Sequence, residues 1–162
     1  MLSGSGSVAA SSGVADSGTF DISATTAGTS IKTLSGTGAV TLGARPLTLT
    51  AGSTTFSGVI GGTGGLTLSG GTETLSGVNS FSGATTINSG ATLALSGAGS
   101  VAASSGVADS GTFDISATTS GTSIKTLSGA GVVTLGAQPL MLTAGSTTFS
   151  GVIGGTGGLT LS

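Results

Sequence analysis

Short alternations of apolar and polar residues recur along this chain, each three to five residues long and each bounded by a glycine-containing corner. The clearest are Thr19-Phe20-Asp21-Ile22-Ser23, Pro46-Leu47-Thr48-Leu49-Thr50, Glu73-Thr74-Leu75-Ser76 and Thr92-Leu93-Ala94-Leu95-Ser96. Others are Ala39-Val40-Thr41-Leu42-Gly43, Gly65-Leu66-Thr67-Leu68-Ser69, Thr85-Thr86-Ile87-Asn88-Ser89, Ser30-Ile31-Lys32-Thr33-Leu34, Thr54-Thr55-Phe56-Ser57 and Asn79-Ser80-Phe81-Ser82. Period two puts apolar side chains on one face and polar ones on the other, as in a half-buried strand. Segments this short cannot hold a helix, and glycine interrupts every helical window.

The pieces 5–28, 29–52, 53–77 and 78–97 each hold three such segments and end on glycine. This predicts an all-β fold, a parallel β-helix (β-solenoid) with about seven turns of 20–25 residues and three short strands per turn. The hand is taken as right-handed by analogy with other parallel β-helices. Stacked about 4.8 Å apart, seven turns make a rod of roughly 34 Å. Ladders of like residues should fill it. Phe56 and Phe81 are expected in matching slots one turn apart, with Phe149 repeating the first. Leu47, Leu49, Leu93 and Leu95 should form a second ladder with Phe20 and Ile22. Glu73 breaks the pattern, because alternation with Leu75 points it inward. The expectation is that the strand starts after it, or that a bulge or corner lets it reach water, since an unpaired buried carboxylate is very costly.

The pattern also repeats at long range. Residues 2–69 return as 95–162, a shift of 93 positions, and 70–94 complete the first unit. Six positions differ: Ser5/Ala98, Ala27/Ser120, Thr37/Ala130, Ala39/Val132, Arg45/Gln138 and Thr48/Met141. Residues 1–162 are therefore expected to form a single solenoid in which each turn touches only its neighbours. Both ends cut through the repeat, so the chain reads as an internal fragment carrying an initiator Met.

Composition narrows the function. Charged residues are 5% of the chain, against roughly 25% in typical soluble domains. Leu, Ile, Val and Phe make 38 of 162 residues, and their regular placement argues against a disordered Gly/Ser/Thr linker. There is no Cys, His, Tyr or Trp. Disulfides and thiolate sites are thus excluded. Five acidic and three basic residues form no patch in sequence, so nucleic acid and anionic membranes are not expected partners. No apolar run approaches a membrane span.

The stretch 64–97, GGLTLSGGTETLSGVNSFSGATTINSGATLALSG, resembles the autotransporter-associated β-strand repeat of Gram-negative passenger domains. Its matching elements are Gly65-Leu66-Thr67, the run from Thr74 to Gly83 with its Asn79-Ser80-Phe81-Ser82-Gly83 loop, Thr85-Thr86-Ile87-Asn88-Ser89-Gly90, and Leu93-Ala94-Leu95. Glu73 stands where the family has a small or apolar residue, and Phe81 where Tyr is commoner. The resemblance implies a secreted, extracellular β-helical passenger held at the cell surface through an outer-membrane barrel.

Candidate chemistry is sparse. The cluster from Gly61 to Leu68 has the glycine density of a calcium-binding β-roll, but Leu66 stands where that motif needs Asp. No Gly-Lys-Ser/Thr follows, so it is no phosphate loop. Asp16 and Asp21 recur as Asp109 and Asp114, a spacing that invites a glycosidase reading. Asp21 alternates with Phe20 and Ile22 and so should face water, Asp16 sits in a Gly-bounded turn, and the better reading is solvated surface carboxylates. Lys32 and Lys125 are expected to pair loosely with Asp21 and Asp114. Serine has no evident base, and Thr29-Ser30-Ile31-Lys32 is not a Ser-x-x-Lys pair. No catalytic, cofactor-binding or metal-binding residue is assigned. A uniform threonine array for ice binding is not expected, since the outward positions Asp21, Thr48, Ala94, Asp114 and Met141 are mixed. The reading is a structural stalk of a surface passenger, contributing to adhesion or display without catalysis. Its partners would be host or bacterial surface ligands, or copies of itself end to end. A self-assembling filament, or an ice- or polysaccharide-binding solenoid, is the alternative.

Overall fold

A computed structural model describes residues 1–162. Every regular element is a strand, and every strand pair is parallel. The chain is a β-solenoid of about eight turns. Face I is an eight-stranded sheet running from Val14–Asp16 through Leu34–Gly36, Thr55–Phe56, Gly71–Leu75, Ala91–Gly97, Thr112–Thr118 and Val132–Gly136 to Val152–Gly155. Face III has six strands, from Thr29–Ile31 through Leu47–Leu49, Leu66–Leu68, Thr85–Ile87 and Val107–Asp109 to Leu127–Gly129. Face II falls between them in chain order. It holds Thr19–Asp21, Ala39–Gly43 and Val59–Gly62, then Thr122–Ile124, Leu140–Leu142 and Leu159–Leu161.

Turns are tighter than the sequence pattern implies. Stacked partners lie 18 residues apart at Thr29↔Leu47, 20 at Val14↔Leu34 and 22 at Thr85↔Val107. The strands Val14–Asp16, Leu34–Gly36 and Val59–Gly62 account for the difference. The first two carry one large aliphatic each, and the third runs straight into two glycines, so none shows alternation. The expected segment from Ser30 to Leu34 is in fact two strands separated by a corner at Lys32 and Thr33.

The shorter turn rephases the ladders. Phe56 stacks with Leu75, not Phe81, and Leu75 with Leu95. Phe81 instead lies over the neighbouring face, where its N–H donates to the Ile60 carbonyl at 3.1 Å. Leu47 and Leu49 belong to face III, above Thr29 and Ile31 and below Leu66 and Leu68. Leu93 and Leu95 belong to face I, and Phe20 stacks with Val40 and Ile60 on face II. The expected second ladder is therefore three separate columns. All converge on one buried core, in which Leu47, Leu49, Phe56, Phe81, Leu93 and Leu95 are at most 1% exposed.

Corners are set by close backbone approach. Gly38, Gly58 and Gly77 stack where the chain leaves face I. A Cβ at Gly58 would overlap the Gly38 carbonyl, and one at Gly77 would overlap the Gly58 carbonyl. In the middle of face II the chain passes through 78–82 and 98–105 with only an isolated bridge, Val78↔Ser100. Here the buried Asn79 side chain supplements an irregular ladder. Its Oδ1 accepts the Ile60 N–H at 2.9 Å, and its Nδ2 donates to the Gly77 and Ser100 carbonyls at 3.0 Å each. One amide thus ties three successive turns together. Close by, Thr85 Oγ1 donates to Ser104 Oγ at 3.1 Å, and that hydroxyl reaches the Gly83 carbonyl at 2.8 Å.

The sequence repeat and the turn do not share a period. A unit of 93 residues on turns of about 20 is about four and two-thirds turns. Val14–Asp16 lies on face I, but its copy Val107–Asp109 lies on face III. Likewise Thr19–Asp21 is on face II and its copy within Thr112–Thr118 on face I. Local registers are unchanged: Val14↔Leu34 becomes Val107↔Leu127, and Thr29↔Leu47 becomes Thr122↔Leu140. Each copy keeps its neighbours and moves one face back.

Three substitutions test these contacts. Gly58→Ala, which drives a methyl into backbone, should destabilise by more than about 2 kcal/mol. Gly18→Ala, with nothing within 4 Å of the added carbon, should stay within about 0.5 kcal/mol. Asn79→Ala strands the buried Ile60 N–H and should cost about 2–4 kcal/mol. Thermal melts followed by circular dichroism would rank all three.

Candidate functional site

With so few ionisable residues, any acid–base or ionic site must be built from Asp16, Asp21, Lys32, Arg45, Glu73, Asp109, Asp114 and Lys125. The repeated aspartates do not come together as pairs. Asp16 closes a face I strand and Asp21 a face II strand, while Asp109 closes a face III strand and Asp114 sits in a face I strand. Within each pair one carboxylate points in and the other out. Asp21 Oδ1 accepts the Ser23 N–H and Asp114 Oδ1 the Ser116 N–H, both at 2.9 Å, which closes tight exposed turns. The Ser23 hydrogen bonds hold the Asp21 carboxyl below the usual range.

Asp16 and Asp109 overturn the expectation of solvated carboxylates. Asp16 is 8% exposed and Asp109 is fully buried. Both strands end by turning the acid inward, so Asp109 follows Leu49, Leu68 and Ile87 in a core column. Oδ1 closes an Asx turn, accepting Gly18 N–H at 3.0 Å in Asp16 and Gly111 N–H at 2.9 Å in Asp109. Oδ2 has no partner in either. Glycine makes the room: a Cβ at Gly38 or Gly131 would strike the carboxylate. Burial raises the Asp109 pKa, with the Gly111 N–H pulling the other way.

Glu73 is also inside. It lies within the strand Gly71–Leu75, paired with Leu93, and is fully buried. The strand neither starts after it nor bulges there, so both expected escapes fail. Gly52 provides the space, since a Cβ there would come within 3.0 Å of the Glu73 Cβ. The carboxyl meets Thr54 Oγ1 at 3.1 Å, and Thr54 Oγ1 lies 2.6 Å from the Leu34 carbonyl. Burial pushes the Glu73 pKa up to about 7, from 4.5, against the opposing effect of the Thr54 contact.

The cations do not complete a site. Lys125 Nζ donates to the Ala103 carbonyl at 3.1 Å, in place of the expected pairing with Asp114. Lys32 follows a face III strand and its copy Lys125 a face II strand, so the two project from different sides of the rod. A shallow groove on face II, lined by Ser120, Thr122, Ser123, Leu140, Met141 and Thr160, offers hydroxyls and a thioether but no charge. The outward positions compared in the sequence also separate: Asp21 is on face II, Thr48 on face III and Ala94 on face I. In true register, face III carries the outward column Ser30, Thr48, Thr67, Thr86, Ala108 and Ser128. This column is hidden in the sequence because steps of 18 and 19 residues at Ser30↔Thr48 and Thr48↔Thr67 fall short of the 20–25 expected.

The buried acids set the sign of the pH dependence. Glu73 has a folded pKa above its unfolded one, so the native state holds the extra proton. Its cost is absent below about pH 4.5, grows as pH rises, and is complete above about 7, reaching about 3 kcal/mol. Asp109 adds in the same direction from a lower starting point. The melting temperature should therefore be higher at pH 4.5 than at pH 8, the reverse of a fold held by salt-bridged carboxylates. Melts across that range would check it. Comparison of the chain with protein-family models, with curated proteins and with solved structures gave no match.

Proposed function

We propose that this chain is a structural spacer in the surface-exposed passenger of a Gram-negative autotransporter, contributing to adhesion or display without catalysing a reaction. The observation that supports this reading is the continuous parallel pairing of face I across eight strands, interrupted only by register shifts at Ala94/Ser96 and Thr134/Gly136, which makes the molecule a rod rather than a cradle for one ligand. The loop Asn79-Ser80-Phe81-Ser82-Gly83, the most distinctive part of the resemblance, supports it with a mechanical role. Asn79 bonds the turns on either side, and Phe81 is sunk in the core at 1% exposure. A stretch of repeat that carries its own inter-turn fastening suits a stalk. Outward residues are mostly small and polar, with Val59, Val78, Val132 and Met141 among the exceptions, and partners are expected among host or bacterial surface ligands.

A second reading, an ice- or polysaccharide-binding solenoid, is favoured by the face III column. Hydroxyls stand there at successive turns about 4.8 Å apart, with Ala108 the one interruption.

Antibodies raised against this chain should label intact cells expressing the parent protein, and protease treatment of those cells should remove the label. Labelling only after lysis would end the surface-stalk reading. In solution, small-angle scattering should give a rod whose length grows in proportion to turns added. Thermal hysteresis in a freezing assay, abolished by Thr67→Lys with Thr86→Lys, would instead establish the ice-binding face. Multiples of the chain mass appearing with concentration in sedimentation would establish assembly.

A further inference from the structure

The protons around Glu73 can be counted. Thr54 has one hydroxyl proton, and its oxygen lies 2.6 Å from the Leu34 carbonyl but 3.1 Å and 3.4 Å from the two Glu73 oxygens. A carbonyl can only accept, so the proton belongs to the Leu34 bond. The second copy provides an internal control. Thr147 Oγ1 makes the same 2.6 Å bond to the Leu127 carbonyl with no glutamate beside it. The contact between Thr54 and Glu73 then needs a proton from the acid. The result is a relay in which the Glu73 O–H donates to Thr54 Oγ1 and the Thr54 O–H donates to the Leu34 carbonyl. It links three consecutive turns of face I at Leu34, Thr54 and Glu73.

No charged group nearby could replace that proton. Glu73 is the sole ionisable side chain between Arg45 and Asp109. The strands stacked on its own, Thr55–Phe56 and Ala91–Gly97, carry none. Nor do the other elements of the same turns, Val59–Gly62, Leu66–Leu68, 78–82 and Thr85–Ile87. A carboxylate formed here would face a hydroxyl already committed elsewhere, with only the backbone N–H groups of Thr54 and Leu34 to favour its charge, in a core of Leu, Ile and Phe where burial outweighs them. Its route to hydration is through the sheet.

We propose that the turn containing Glu73 is a proton-held joint in the rod, closed while the buried acid keeps its proton and opened locally when the proton is lost to solvent. The joint makes the rod stiffest in mild acid and gives it one preferred point of yielding as the medium turns alkaline. Opening involves parting Gly71–Leu75 from Thr55–Phe56 and Ala91–Gly97 while turns further away stay paired. Energetic independence of distant turns is what permits this. The raised pKa of Glu73 agrees with the relay and places the change near neutrality.

Glu73 is the only glutamate, so labelling glutamate with 13C gives a single side-chain carboxyl signal to titrate. A midpoint within one pH unit of 7 is expected, and a midpoint below 5 would overturn the proposal. Amide exchange should then locate the opening. Between pH 5 and 7, protection in Thr55–Phe56, Gly71–Leu75 and Ala91–Gly97, corrected for intrinsic exchange, should fall about tenfold per pH unit. Glu73→Gln keeps a donor toward Thr54 and should flatten that slope, while leaving any slope around Asp109 intact. An unchanged slope in Glu73→Gln, or none in the wild-type chain, would refute the joint. If the Gln variant does not fold, the wild-type titration alone decides.

Discussion

Each turn of this molecule hydrogen-bonds only to the turns before and after it, at the spacing of adjacent strands, and everything else follows from keeping that spacing uniform. Backbones that stack so closely leave no room for a side chain where the chain turns its corners, hence the column Gly38, Gly58 and Gly77. Side chains pointing inward must stack on others of similar size, hence columns such as Leu47, Leu66 and Thr85 or Phe56, Leu75 and Leu95. The near absence of charge has the same origin. A like-on-like column of ionised groups at strand spacing would repel along its whole length, whereas threonine, serine and alanine stack without penalty.

Where a polar group does enter the core, the fold answers with a specific partner. Asn79 supplies donors and an acceptor where the face II ladder is irregular, so its amide supplements the backbone. Ser104 and Thr85 satisfy each other beside it. Asp16 and Asp109 satisfy one oxygen through an Asx turn and leave the other bare. Glu73 is partnered through its own proton. Of these residues only Asp16/Asp109 and Ser104 (as Ser11) fall within the repeated stretch, and neither pair is among the six that differ.

The strand class, the parallel stacking and the three-sided turn were legible in the chain because alternation at period two survives in segments such as Ala39–Gly43 and Leu47–Leu49. The turn length was not. Val14–Asp16 and Leu34–Gly36 bury one large side chain each and look like loop, and Val59–Gly62 ends in glycines that look like a corner. Missing them lengthened the inferred turn, and a wrong turn length scrambles every ladder even when each strand is right. The inward acids were only half visible. The alternation with Leu75 gave Glu73 its direction. An escape to water is the cheaper outcome for such an acid, yet the chain instead clears space for it at Gly52. For Asp109 the signal was the glycine two residues on, which marks an Asx turn but does not say which way the side chain faces.

The mismatch between the 93-residue unit and the three-sided turn has a consequence for how such a gene can change. Near-identical tandem copies invite unequal recombination, which adds or removes whole units. In a rod whose unit held an integral number of turns, that would alter reach and nothing else. Here every unit gained also swings the distal end through a third of a revolution. Whatever is mounted there then bears in a new direction, and only the third insertion restores the original heading.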